Sequence, residues 1–206
     1  MGKVGTNAAS RTNSVVFCGL IVAFMVVSAW VTIPLGPVPV TLQVFTMVFA
    51  LLFMSPRQYF VSLSVYLAIG AVGLPVFSGM RGGIGVLAGP TGGFLWGWLV
   101  AAAIAYLVLG FFRKGNAKSE LGKQARDAQS KSHAVAKNSI AAIVFLVVMY
   151  VCGWIQLILV AGYDPLAAFL TGVAPFIVMD SIKIVAAVFL VEALKRALPQ
   201  VFTQTI

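Results

Sequence analysis

The sequence predicts an all-α membrane protein with six transmembrane helices and a structured glycine-rich extracytoplasmic loop between the third and the fourth. Three observations carry this. Hydrophobic residues make up 61% of the 206-residue chain and charged residues only 9%, where soluble domains run at roughly a quarter charged. No charge falls between Arg11 and Arg57, Arg57 and Arg81, Arg81 and Arg113, or Lys137 and Asp164, and a spanning helix needs about 20 predominantly apolar residues. Between two such runs, residues 73–93 hold eight glycines, two prolines and the single charge Arg81. Glycine and proline disfavour helix interiors, yet the stretch is too apolar for a water-soluble linker. It reads as a loop folded over or into a membrane-embedded cavity.

The elements follow in order. Residues 1–14 are polar, with Lys3 and Arg11, and resemble the n-region of a signal peptide; Val27, Ser28 and Ala29 resemble a cleavage site. Further spans follow, so an uncleaved first helix at about 15–32 is the simpler reading. Gly19 and Ala23 form a small pair on one face of it, suited to close helix approach, either inside the bundle or against a partner. Three prolines at 34–39 end that helix. Thr41 and Gln43 stand at the edge of a second span, about 41–54, and a turn at 55–57 leads to a third, about 58–72. The fourth span, about 91–112, begins at Thr91, Gly92 and Gly93. Its Trp96 and Trp98 lie near one end, where interfacial aromatics gather. Residues 113–137 hold seven basic and two acidic residues and the lone His133, and read as a solvated cytoplasmic loop within a single domain of 1–206. A fifth span covers about 138–160. The sixth ends near 198, with 166–170 as a short interfacial helix and the main span opening at Pro175, a favourable first helical position. Cys18 and Cys152 fall in apolar runs and read as packed side chains, not a disulfide framework.

The net charge of +9 raises the question of nucleic acid, but no binding motif accompanies it and the aromatics lie in the apolar runs. Membrane proteins collect Lys and Arg in cytoplasmic loops. With six spans, twelve of the fourteen basic residues share the side of both termini: Lys3, Arg11, Arg57, the seven of 113–137, Lys195 and Arg196. That distribution orients the chain in the cell (inner) membrane with both termini cytoplasmic and residues 73–93 outside.

Asp180 and Lys183 are the sharpest chemical signal. Three residues apart, they share a face of the sixth helix. A charge at the centre of a spanning helix costs about 2.5–3.5 kcal/mol on insertion scales, so two of them need a reason. Either they pair with each other for structure, or they line a ligand cavity about 8–12 Å below the outer helix end; the second reading is the stronger. Arg81 is either a plain interfacial charge or a donor for an anionic group at the cavity mouth. Residues 83–88 match G-x-G-x-x-G/A, but the strand, helix and βαβ unit of a dinucleotide fold are missing. No Walker loop, metalloprotease helix or nucleophile elbow occurs. The sequence therefore points away from an enzyme, and to no cofactor and no metal on this chain.

Four motifs in order resemble the BioY family: residues 33–43 (IPLGPVPVTLQ), 73–77 (GLPVF), 89–94 (GPTGGF) and the Asp180-x-x-Lys183 pair. The resemblance covers roughly 15–198. BioY proteins are the biotin-binding substrate components of energy-coupling-factor transporters. The resemblance implies a six-helix membrane protein that captures biotin from outside. It would work with a transmembrane coupling protein and two ATPases, which suits a chain with no nucleotide site of its own. By the same resemblance Asp180 and Lys183 belong to the pocket. Asp180 offers acceptors to the ureido N–H groups, and Lys183 offers donors to either the ureido oxygen or the carboxylate. Phe77 and Phe94 would take the bicyclic ring and valeryl chain, Arg81 the carboxylate, and Thr91 and Gln43 are further binding candidates. Substrate components of this kind dock through small residues on the first helix, which puts Gly19 and Ala23 forward as partner contacts. Self-association into a homo-oligomer is left open. The rival readings are a substrate component for another small vitamin or cofactor precursor, a membrane enzyme, and a structural subunit in which Asp180 and Lys183 only pair.

Overall fold

The computed structural model of the chain describes residues 4–34, 38–116 and 126–197. Helix α1, Val4–Trp30, ends where the prolines approach. The chain does not re-enter a helix at once. Thr32–Ile33 (β1) pairs antiparallel with Val40–Thr41 (β2), Thr32 opposite Thr41 and Ile33 opposite Val40. Proline lacks the N–H a helix needs, so a small hairpin replaces the helical start expected at 41. This is the one sheet among the described residues. Residues 35–37, between the two strands in sequence, lie outside them.

Helix α2, Gln43–Phe53, is therefore only 11 residues long, about 16 Å at about 1.5 Å per residue. Ser55 and Pro56 start α3, Pro56–Ala71. Gln58 Oε1 accepts from the Ser55 backbone N–H at 3.1 Å and from its hydroxyl at 2.8 Å, and Pro56 occupies a first-turn position that needs no donor. The glycine-rich stretch follows, with a 3₁₀ turn at Ser78–Met80 and the five-residue α4, Ile84–Ala88. Helix α5 runs Gly92–Asn116 and α6 Arg126–Ala161. The expected basic loop thus carries helix on both flanks. Its middle, 117–125, lies outside the described residues, as do the side chains of Lys3, Arg11 and His133. Asp164 caps α7, Pro165–Gly172, its carboxylate accepting from Leu166 N–H at 3.0 Å. Helix α8, Phe176–Ala197, follows at a bend of 44°.

By length and apolarity two helices cross a membrane, within Gly92–Phe112 and Val135–Ala161, and a third does so if the bent α7–α8 pair is one span. Ser14–Trp30 and Gln43–Phe53 are shorter apolar helices. The six charge-free or nearly charge-free segments are thus helical, while a full crossing is evident in two or three of them.

Packing places the elements that matter below. Helix α5 lies closest to α6, α2 chiefly on α8, and α1 chiefly on α3. The α5–α6 contact is made by glycines. A Cβ on Gly93 would stand 2.5 Å from the Cys152 carbonyl oxygen, and one on Gly97 2.9 Å from Cys152 Cβ. Small residues let backbones approach where lipid supplies no hydrophobic drive between helices. Gly19 and Ala23 are both exposed on α1, and nothing comes within 4 Å of a Cβ built on Gly19. They face outward beside Leu20 and Val27, so internal packing is not their role.

A prediction follows for the α5–α6 seam. Gly93→Ala should destabilise the detergent-purified protein by about 1–3 kcal/mol, the usual cost of overpacking. Gly110→Ala, on the same helix with open space around it, should be neutral or slightly stabilising in thermal unfolding.

Candidate functional site

A cavity opens between the hairpin, α2, the 77–81 turn, the start of α5, and the facing parts of α6, α7 and α8. Its most polar wall comes from α8. Asp180 lies one turn into that helix and is only 3% exposed. Both its oxygens are engaged. The Tyr150 hydroxyl on α6 donates to Oδ2 at 2.7 Å, and Lys183 Nζ donates to Oδ1 at 2.7 Å. Lys183 also donates to the Thr41 carbonyl at 2.7 Å, tying α8 to the hairpin. Asp180 and Tyr150 line the cavity; Lys183 stands behind Asp180 and is not part of the lining. A buried carboxylate held by a cation and a phenol remains a hydrogen-bond acceptor.

The opposite walls are mostly apolar and aromatic. Gln43 Nε2 donates to the Tyr66 hydroxyl at 2.7 Å, which donates on to the Val76 carbonyl at 2.9 Å. Thr41 Oγ1 donates to Gln43 Oε1 at 3.2 Å. The amide at the cavity edge is thereby oriented, with one N–H and one lone pair to spare. Phe77 meets Tyr66 edge-on at 5.6 Å between centroids and is seated on Gly70, where any Cβ would overlap its ring. Phe94 is seated on Gly153 of α6 in the same way. Trp98 is buried and donates its indole N–H to Met149 Sδ at 3.1 Å, both residues lining the cavity.

The glycine-rich stretch roofs this space and is pinned to the bundle in several places. Gly83 N–H donates to the Gly70 carbonyl at 2.7 Å, and Trp30 Nε1 to the Pro75 carbonyl at 2.8 Å. Gln156 Nε2 on α6 donates to the carbonyls of Leu87 at 3.1 Å and Gly89 at 2.6 Å. Between these anchors a tight turn is closed by Phe77 N–H to the Arg81 carbonyl at 2.9 Å. It needs left-handed backbone at Gly79, φ 68°, and at Met80, φ 57°; glycine meets that demand freely and methionine does not. Arg81 is exposed at the rim, its Nε donating to the Ser78 carbonyl at 3.2 Å.

Of the candidate residues, Asp180, Arg81, Phe77, Phe94, Thr91 and Gln43 line one cavity. Lys183 reaches it only through Asp180. Trp98 is not an interfacial residue: two positions from the exposed Trp96, it faces the opposite side of α5 and is 3% exposed. That spacing was the available signal. Tyr150 and Gln156 escaped notice because a phenol or an amide in an apolar run marks no chemistry by itself. Among the described residues no group of three or more metal-ligating side chains converges.

The fold and the lining define an α-helical membrane protein built around a cavity with one acidic wall. The pattern of the BioY family matches residues 4–200, and the chain belongs to that family. It is 34% identical over 185 residues to the probable biotin transporter BioY of Pyrococcus horikoshii, covering 90% of this chain and 98% of that protein. It is 32% identical over 178 residues to the biotin transporter BioY of Thermotoga maritima, covering 86% and 93%. A crystal structure at 2.1 Å of the S-component for biotin from an ECF-type ABC transporter shares the fold, with a TM-score of 0.73 at 24% identity over 90% of this chain and 92% of that one.

Lys183→Met removes the cation from a buried pair and one donor from the Thr41 carbonyl. Breaking such a pair from one side costs about 3–5 kcal/mol. The expected result is a lower melting temperature in detergent. A variant as stable as the parent would mean that Lys183 does not hold α8 to the hairpin.

Proposed function

We propose that this chain is the substrate-capturing membrane component of a biotin uptake system. The observation that carries the reading is the composition of the cavity: one buried acceptor carboxylate on α8, one guanidinium on the 78–81 turn, and aromatic and aliphatic walls between. Biotin has a cyclic urea with two N–H donors, an apolar bicycle and chain, and a terminal carboxylate. Mostly apolar pockets with a few placed polar groups suit such ligands. The ureido N–H groups are assigned to Asp180, the carboxylate to Arg81, and the ring and chain to Phe77, Phe94 and Trp98. Gln43 and Thr91 add polar contacts at the side. Family membership and the curated relatives support the same substrate.

In this reading α1, α2, α3, α5, α6 and the α7–α8 pair are the six membrane passes, with α2 extended by the hairpin. The distribution of the basic residues supports an orientation with both termini in the cytoplasm and the glycine-rich roof outside. Transport is energised by a separate coupling module, a membrane protein with two ATPases. The outward face of α1 at Gly19 and Ala23 is the contact offered to it.

Titrating biotin into the detergent-purified protein should raise the melting temperature. A ligand that binds only the folded state at 100 times its Kd adds about 2.7 kcal/mol. Asp180→Asn, which keeps the shape and loses the charge, should remove most of that shift while the protein stays folded. Absence of any shift in folded wild-type protein would refute the biotin reading. A normal shift in the Asn variant would refute the site alone.

A further inference from the structure

Tyr150 carries a role beyond filling the cavity wall. It lies on α6, while Asp180 and Lys183 lie on α8, so it is the carboxylate's restraint from the neighbouring helix. Rotation about the terminal torsion of an aspartate is soft. Lys183, which is not part of the cavity lining, holds Oδ1 at 2.7 Å and is itself held by the Thr41 carbonyl. The Tyr150 hydroxyl fixes Oδ2 at 2.7 Å, and both residues face the cavity. A phenol has one proton, and Tyr150 gives it to Asp180. Toward a ligand it has only a lone pair left.

We infer that Tyr150 is a positioning residue which, acting through Asp180, makes this corner of the cavity accept hydrogen bonds only and so selects ligands that present N–H donors to it. The inference rests on the function proposed above. A ligand carboxylate or carbonyl turned to this corner meets two acceptors and a negative charge, an unpaired arrangement that costs far more than a missing methylene. A cyclic urea meets it with matched donors. The rigidity of the corner comes from its neighbours, since Met149, next to Tyr150 on α6, is held by the indole of Trp98 on α5.

The test is a double-mutant cycle on biotin affinity, with melting temperature as a check on folding. Tyr150→Phe alone should raise the Kd about tenfold or more, the worth of a hydrogen bond to a charged group. In an Asp180→Asn background the same change should raise it less than about twofold, because residues that act as one unit are not additive. Equal losses in both backgrounds, or no loss in the first, would overturn the role. A second reading needs no ligand and decides the matter if Asp180→Asn leaves too little binding to titrate. Asp180→Asn should shift the near-ultraviolet absorption of tyrosine in the wild-type background and leave it unchanged in the Tyr150→Phe background; no shift in the first, or the same shift in both, overturns it. Wild-type protein that does not bind biotin refutes the proposed function, whereas additive losses in a biotin-binding protein refute only the part assigned to Tyr150.

Discussion

An ionised carboxylate in a dry interior is tolerable only when paired and hydrogen-bonded. Asp180 meets that condition through three separate parts of the chain. Its own helix supplies Lys183, α6 supplies Tyr150, and the hairpin supplies the Thr41 carbonyl that takes a second hydrogen bond from Lys183. The last of these explains why three prolines before α2 are useful. A carbonyl inside a helix is committed to its own ladder. Thr41 lies just ahead of Gln43, where α2 begins, and its carbonyl is free to meet the lysine. The break in the helix and the charge in α8 are parts of one arrangement.

The glycines belong to a second arrangement, and they are not alike. Gly79 answers a backbone conformation. Gly93 and Gly97 answer the closeness of α5 and α6, while Gly70 and Gly153 are seats for the rings of Phe77 and Phe94. In the sequence the segment reads as one structured loop, because composition does not distinguish these uses. In the structure most of it is fixed, by Gly70 at one end and by Gln156 at the other. The turn carrying Met80 and Arg81 is one of its exposed parts, along with Leu74 and Ile84.

Much of this was legible in the sequence because the membrane makes polarity conspicuous. Asp180 and Lys183 stand out where nothing else is charged, and the helical segments follow from the gaps between charges. Their roles within the pair were less legible. Spacing alone puts both on one face, but only three-dimensional packing directs the lysine toward Thr41, 142 residues away in sequence. Tyr150, Trp98 and Gln156 were hard to read for a related reason. Each is a residue that can end at a lipid interface or in a core, and the difference lies in which helix stands opposite. Gln156 was the most accessible of the three. An amide in an apolar helix requires partners, and the glycine turn at 87–89 provides them. The shortness of α2 was hidden because its charge-free run includes the hairpin.

The reach of Lys183 also has a consequence for how the protein is made. Helix α8 is the last described helix to leave the ribosome, and without it the hairpin lacks its tie and Tyr150 its acceptor. The five preceding apolar segments can enter the membrane and pack, α5 on α6 and α1 on α3, before any binding site exists. Packing of those segments and completion of the cavity are therefore separated in time: α8 must emerge before the wall that carries Asp180 exists. A nascent or truncated chain that lacks α8 is a bundle without the acidic wall of its cavity.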